Sequence, residues 1–109
     1  MAFLKRSTRL PTHRAPVHPG TILLEEFMAP HNISQQEMAK HLMISRKHLI
    51  DLVHARKPVS LEMAQRLAKL FRTSIDFWIN GQIAFDIWHS VRKPSKAVKS
   101  IKPLELNLN

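Results

Sequence analysis

The chain has 109 residues, with 17 Lys plus Arg against 8 Asp plus Glu, 44% hydrophobic residues and a net charge of +9 with the histidines neutral. That length and apolar content fit one domain with a real core, which excludes two independent cores and wholesale disorder. The lack of cysteine excludes disulfides, thiolate zinc sites and a cysteine nucleophile. The positive charge favours a polyanionic partner.

Only Gly20 and Gly81 are glycines, so Gly-rich phosphate loops and dinucleotide fingerprints are absent. Tight hairpins would also lack their turn residues. No apolar run approaches the ~18 residues of a membrane span. The expectation is an all-α protein that needs no membrane.

Residues 1–17 are basic and broken by Pro11 and Pro16. No apolar signal-peptide region follows, so they read as a flexible basic arm. A domain is expected over 18–91. Pro19 opens the first helix, where its missing N–H costs nothing. Ile22, Leu23, Leu24 and Phe27 should face the core, and Pro30 should end the helix at or just before Ala29. Ser34 and Glu37 have the spacing of a capping box. They open a second helix whose stripe is Met38, Ala39 and Leu42.

After a break at Met43-Ile44, Ser45 is the N-cap candidate for a third helix, running to His54. Leu49, Leu52 and Val53 form its buried stripe. Arg46, Lys47, Ile50, Asp51 and His54 face the other way. Ala55 to Val59 is a basic loop. Ser60 caps a fourth helix with the stripe Leu61, Ala64, Leu67, Ala68 and Phe71. Thr73-Ser74 caps the last, Ile75 to about Val91.

At 100° per residue the last helix is apolar on most sides. Phe77, Ala84, Ile87, Trp88 and Val91 share one side, Trp78 and Phe85 a second, Ile79 and Ile83 a third. Such a helix must be buried on most sides. The four others are too few to surround it, so a homodimer interface built on Phe77, Trp78, Ala84, Phe85 and Trp88 is expected. Residues 92–109 read as a flexible basic tail.

The charge is unevenly spread: +4 over 1–14, −2 over 15–30, +3 over 31–60, zero over 61–91 and +4 over 92–109. The +3 falls on a helix, a short break and a helix. A helix-turn-helix reader lays the start of its second helix in the major groove. Arg46 and Lys47 there can donate to guanine O6 and N7. Ser45 and His48 can meet phosphate, as can helix-start N–H groups. Gln35 is placed to touch the backbone, and Arg56 and Lys57 suit flanking phosphates. Ile50 is open to two readings, a thymine-methyl contact or the edge of the core. Asp51 is too: an acceptor from cytosine N4, or a partner of Lys47 four residues back.

Other groups carry less. His41, His48 and His54 match no metal-ligand spacing, so no metal or cofactor is expected. Glu25 and Glu26 point in different directions on one helix and read as surface groups. No nucleophile, base and orienting group occur together, so no enzyme is expected.

Several stretches together resemble one family. They are His18-Pro19-Gly20-Thr21-Ile22-Leu23-Leu24-Glu25-Glu26-Phe27-Met28, Ile33 to Ala39, Ile44-Ser45-Arg46, and Lys57-Pro58-Val59-Ser60. Met63 to Lys69 and Thr73 to Asn80 complete them. Over about 16–91 the chain resembles the HigA antitoxins, also called virulence-associated protein I, of the lambda-repressor-like XRE class. The resemblance implies a five-helix DNA-binding fold, dimerisation and repression at a pseudo-palindromic operator. It also implies a HigB-like toxin partner, a RelE-like ribonuclease that cleaves translated mRNA. A cytoplasmic protein at the bacterial nucleoid follows. Two alternatives stay open: a solitary XRE regulator without a toxin, and an interaction module that has lost DNA binding. Two departures stand out. Relatives usually have Gly in the turn where this chain has Met43, and usually Asn-Gly or similar where it has His54-Ala55. Either the turns are rebuilt or the chain bears strain of order 1–3 kcal/mol per site.

Overall fold

The computed structural model describes residues 14–107, and every regular element among them is helical. Residues 1–13, most of the expected arm, lie outside the described part, as do 108–109. The first element, α1 (Pro19–Ile22), is capped by His18, whose Nδ1 accepts the Gly20 N–H at 2.9 Å. It runs on without interruption as a π-helical segment, Leu23–Met28, and then a 3₁₀ turn, Ala29–His31. The wider winding has a packing reason. Leu23 and Met28 are both buried. In an α-helix, residues five apart would point about 140° away from each other at 100° per residue. The i to i+5 bonding of a π segment brings them to one face.

Four Ser-capped helices follow: α2 (Gln35–Leu42), α3 (Arg46–Val53), α4 (Leu61–Phe71) and α5 (Ile75–Arg92). Each cap serine accepts the N–H three residues on, at 3.0 to 3.1 Å. At Ser34 the box is complete, with Glu37 accepting the Ser34 N–H at 2.9 Å. That bond, first among several causes, holds the Glu37 carboxyl below its ordinary pKa.

The expected stripes of α2 and α3 are buried: Met38, Ala39 and Leu42, then Leu49, Leu52 and Val53. On α4 the buried face is Met63, Ala64, Leu67 and Ala68, with Phe71 half-buried. Leu61 departs from expectation and is 62% exposed. It is the first residue of its helix, where side chains lean back past the end of the core. The α4 and α5 helices pack along each other, α2 lies against α3 and α4, and α1 lies against α3 and α5.

Trp78 corrects one expectation. It does not lie on a dimer surface, because its own chain encloses it fully. Phe27, Phe71 and Phe77 surround it, with ring centroids 4.9 to 6.3 Å away. Its indole N–H donates to Thr73 Oγ1 at 2.8 Å, so the ring is buried without an orphan donor. The exposed large apolar residues of α5 are instead Ile75, Ile83, Ile87 and Val91, the last three spaced four apart on one stripe. Phe77, Ala84, Phe85 and Trp88 are half-buried. The Arg92 guanidinium lies 3.1 Å over the Trp88 ring.

The basic tail also departs from expectation. It contains a short helix, α6 (Lys96–Ser100), capped by Ser95. Val98, Ile101, Leu104 and Leu106 within and beyond it are exposed.

Glycine usage is inverted relative to common practice. Asn32, Met43, Ala55 and Arg72 follow the ends of helical segments at φ of 55°, 59°, 61° and 57°. Glycine usually fills such positions. In each case the next residue folds its N–H back five residues: Ile33 to Met28, Ile44 to Ala39, Arg56 to Asp51 and Thr73 to Ala68. So the turns missing glycine are not rebuilt. They adopt the left-handed geometry with Met43 and Ala55 in place, at a cost of roughly 1–2 kcal/mol per residue. Both glycines lie inside helices instead. A Cβ on Gly20 would lie 1.8 Å from the Leu52 carbonyl oxygen, at the end of α3.

Candidate nucleic-acid interface

The α2–turn–α3 unit is held from behind by Arg66. Its Nη1 donates to the carbonyls of both Leu42 and Met43 at 2.9 Å, and its Nη2 donates to Glu62 at 2.7 Å. The guanidinium satisfies end carbonyls of α2 and fixes the turn that orients α3. Arg66 was not among the residues expected at the site. Its only local signal is the Glu62 spacing on a helix face.

At the start of α3, Ser45, Arg46 and Lys47 are exposed. The Ser45 oxygen accepts the His48 N–H at 3.0 Å. Its own O–H remains to be donated outward. Gln35 opens α2 and is half-buried.

Asp51 makes the Lys47 pair that one of its two readings expects. Its Oδ2 accepts from Lys47 Nζ at 3.0 Å and its Oδ1 from Arg56 Nε at 3.1 Å. Its main-chain carbonyl also accepts the N–H groups of Arg56 and Lys57. The Lys47 bond first, then the Arg56 bond, hold this carboxyl below its ordinary pKa. One acidic side chain thus gathers two of the candidate cations and starts the loop after α3. Lys47 stays largely open to solvent at 85% side-chain exposure, so the pair is an exposed one of small energetic weight.

His48 is half-buried, and burial pushes its pKa down. The Lys57 and Arg66 charges push the same way, against Asp51. It brings a neutral ring to the site near pH 7. Ile50 is half-buried, and its carbonyl meets His54 Nδ1 at 2.8 Å. Arg56 and Lys57 stand exposed on the loop. Beyond them, Val59 is buried and its N–H donates to Gln82 Oε1 of α5 at 2.8 Å. Gln82 is the other residue that sequence reasoning missed. Its signal is a polar residue on the Trp78 and Phe85 side of α5, four after the one and three before the other.

The arrangement is therefore a set of solvent-facing groups, Ser45, Arg46 and Lys47 at the start of α3 and Arg56 and Lys57 on the loop after it. Among the described residues no three His, Asp or Glu side chains converge as a metal site, and no helix is long and apolar enough to cross a membrane.

The helix-turn-helix family model matches residues 24–78, which span this unit and the core behind it. The chain belongs to the XRE-type helix-turn-helix family. Among XRE-type relatives, it is 40% identical over 85 residues to the uncharacterised HTH-type transcriptional regulator YbaQ of Escherichia coli, covering 78% of this chain and 71% of that one. Two solved structures are similar over more than four fifths of this chain. The addiction module antidote protein of a HigA family from Coxiella burnetii is 35% identical, with a TM-score of 0.71, over 84% of this chain and all of that one. The Pseudomonas aeruginosa antitoxin HigA, solved with the higBA promoter, is 34% identical with a TM-score of 0.72. It covers 83% of this chain and 99% of that one. Helix-turn-helix readers in general lay the start of their second helix in the major groove.

Proposed function

We propose that this chain is a sequence-specific, operator-binding repressor and the antitoxin of a type II toxin–antitoxin pair. Its partner is a HigB-like, RelE-like mRNA-cleaving toxin. The observation that carries this reading is the exposed Ser45-Arg46-Lys47 start of α3, in a chain similar over 83% of its length to a HigA solved with the higBA promoter. Arg46 reads base edges. Ser45, Gln35, Arg56 and Lys57 hold phosphates. Lys47 exchanges between Asp51 and DNA, Ile50 meets a thymine methyl, and His48 adds a neutral contact. Residues 18–91 form the binding domain.

Two copies pair through α5. The Ile83, Ile87 and Val91 stripe supplies the centre, and Phe77, Ala84, Phe85 and Trp88 supply the flanks. Half-sites then lie about 34–36 Å apart, or a multiple of that. The protein acts in the cytoplasm, at the nucleoid, and without a catalytic step. Glu37 serves as a helix cap and Asp51 as a brace.

The test is co-expression. A small open reading frame beside this gene should be toxic alone, harmless with this chain, and should yield a protein that co-purifies with it. A second reading, a solitary regulator, is favoured by the E. coli relative, described only as an HTH-type transcriptional regulator. A harmless neighbouring frame and intact operator binding would decide for it.

A further inference from the structure

We propose that Gln82 is a positioning residue for DNA binding: from the middle of α5 it holds the loop that presents Arg56 and Lys57 to the phosphate backbone. The proposal rests on the operator-binding reading above.

The loop between α3 and α4 carries two exposed cations and is fixed at both ends. At its start, the Asp51 carbonyl accepts the Arg56 N–H at 2.7 Å and the Lys57 N–H at 3.2 Å. At its end, Pro58 has no N–H to offer, and the Val59 N–H donates to Gln82 Oε1 at 2.8 Å. This second bond spans 23 residues and ties the loop to a different helix.

The Gln82 amide is itself oriented. Its Nε2 donates to Asp86 Oδ1 at 3.0 Å, one turn further along α5. With the NH2 group committed to Asp86, the amide oxygen is the end that faces Val59. Gln82 is buried, so no water competes freely for the Val59 N–H. Gln82 is buried at 5% exposure, which leaves the loop as its route to the DNA.

The position matters because Lys57 stands two residues before the tether. Without the tether the loop end is free, and holding two cations against phosphates then costs the ordering of that segment. The recognition helix keeps its own cap and core packing. The two kinds of DNA contact therefore separate. Loop contacts carry salt dependence and no sequence information, whereas Arg46 carries discrimination.

The test measures binding of the full chain to operator and scrambled duplexes across a salt series. In Gln82→Leu the slope of log K against log salt should fall by about 0.9 for each phosphate no longer neutralised, one or two in all. Affinity should drop about tenfold on both duplexes at low salt, leaving their ratio unchanged. The double variant Gln82→Glu with Asp86→Asn reverses the donors. The new carboxylate at 82 accepts from both Val59 and the new amide at 86, and the slope should return. A purely structural role would lower the unfolding midpoint of Gln82→Leu and leave the slope at the wild-type value, and that result overturns the proposal.

If Gln82→Leu does not fold, Asp86→Ala replaces it. Asp86 is exposed, and its removal leaves the core intact. The slope of that variant must also fall, and an unchanged slope overturns the proposal. Failure of the operator reading looks different, because the wild-type chain would then bind both duplexes equally.

Discussion

Replacing Gly20 with Ala sets two physical effects against each other. Gly→Ala inside a helix ordinarily stabilises, by up to about 1 kcal/mol. Here the added Cβ would lie 1.8 Å from the Leu52 carbonyl oxygen and 2.7 Å from its carbon. Ordinary C···O approach is no closer than about 3.3 Å, so α1 must move by more than an ångström. Neither neighbour can give way cheaply. The Leu52 carbonyl accepts the Ala55 N–H at the end of α3. The His18 ring, 3.1 Å from the new atom, is held by its bond to the Gly20 N–H and by Phe85, edge to face at 4.8 Å.

Overpacking costs about 1–3 kcal/mol where side chains can adjust, and rigid backbone places this site at or above the upper end. After the helix-propensity gain, a net loss of about 2–4 kcal/mol is expected. At about 4–8 °C per kcal/mol this lowers Tm by roughly 8–32 °C. Gly81→Ala is the control. Its Cβ would meet only the Pro19 Cγ, at 3.3 Å. It should stay within about 1 kcal/mol of wild type, since the propensity gain and a small adjustment nearly cancel. Urea unfolding of both variants measures the difference. A Gly20→Ala midpoint at or above wild type would refute the close-approach argument.

Three further outcomes follow from named features. Met43→Gly and Ala55→Gly should each raise stability in urea by about 0.5–1 kcal/mol, because relief of positive φ exceeds the entropy cost of glycine; a decrease in both would show that these turns are unstrained. His18 is held below its ordinary pKa by burial, against the opposing pull of Asp86. Its neutral ring therefore contributes stability that is fully present above about 6.5, the unfolded value, and is lost as pH falls through the lower folded value. The urea midpoint should decline below pH 6.5, and His18→Asn, which keeps a cap acceptor, should decline less; equal declines would remove His18 as the cause. Lys57→Ala should weaken binding to operator and scrambled DNA alike and reduce the salt slope by about 0.9, the value for one phosphate, whereas a sequence-selective effect would place Lys57 at a base edge.

Much of the fold was legible because its signals are local. The capping box at Ser34 and Glu37 and the serines at 45, 60 and 74 each mark a helix start within one turn. The stripes of α2 and α3 follow from periodicity alone. Trp78 shows where that stops: a helix apolar on most sides does not say which side its own chain covers. The π segment was also hidden, since α spacing separates Leu23 from Met28. At the site, the exposed Arg46 was legible from its place in the motif. The Lys47–Asp51–Arg56 cluster was half legible, because one partner lies on the helix and the other beyond it. Arg66 and Gln82 act across more than 20 residues of sequence, through bonds to main-chain groups. No periodicity or cap rule reports such bonds.

Operator discrimination by Arg46 is the most direct test. Gel shift or fluorescence anisotropy at physiological salt would compare the DNA upstream of this gene with a scrambled duplex, for the full wild-type chain and Arg46→Ala. The wild type should prefer the upstream DNA by at least about 10³-fold, with a pseudo-palindromic footprint, and Arg46→Ala should bring the two affinities together. Equal binding of both duplexes by the wild-type chain, or a preference untouched by Arg46→Ala, would contradict the assignment of α3 as the reading helix.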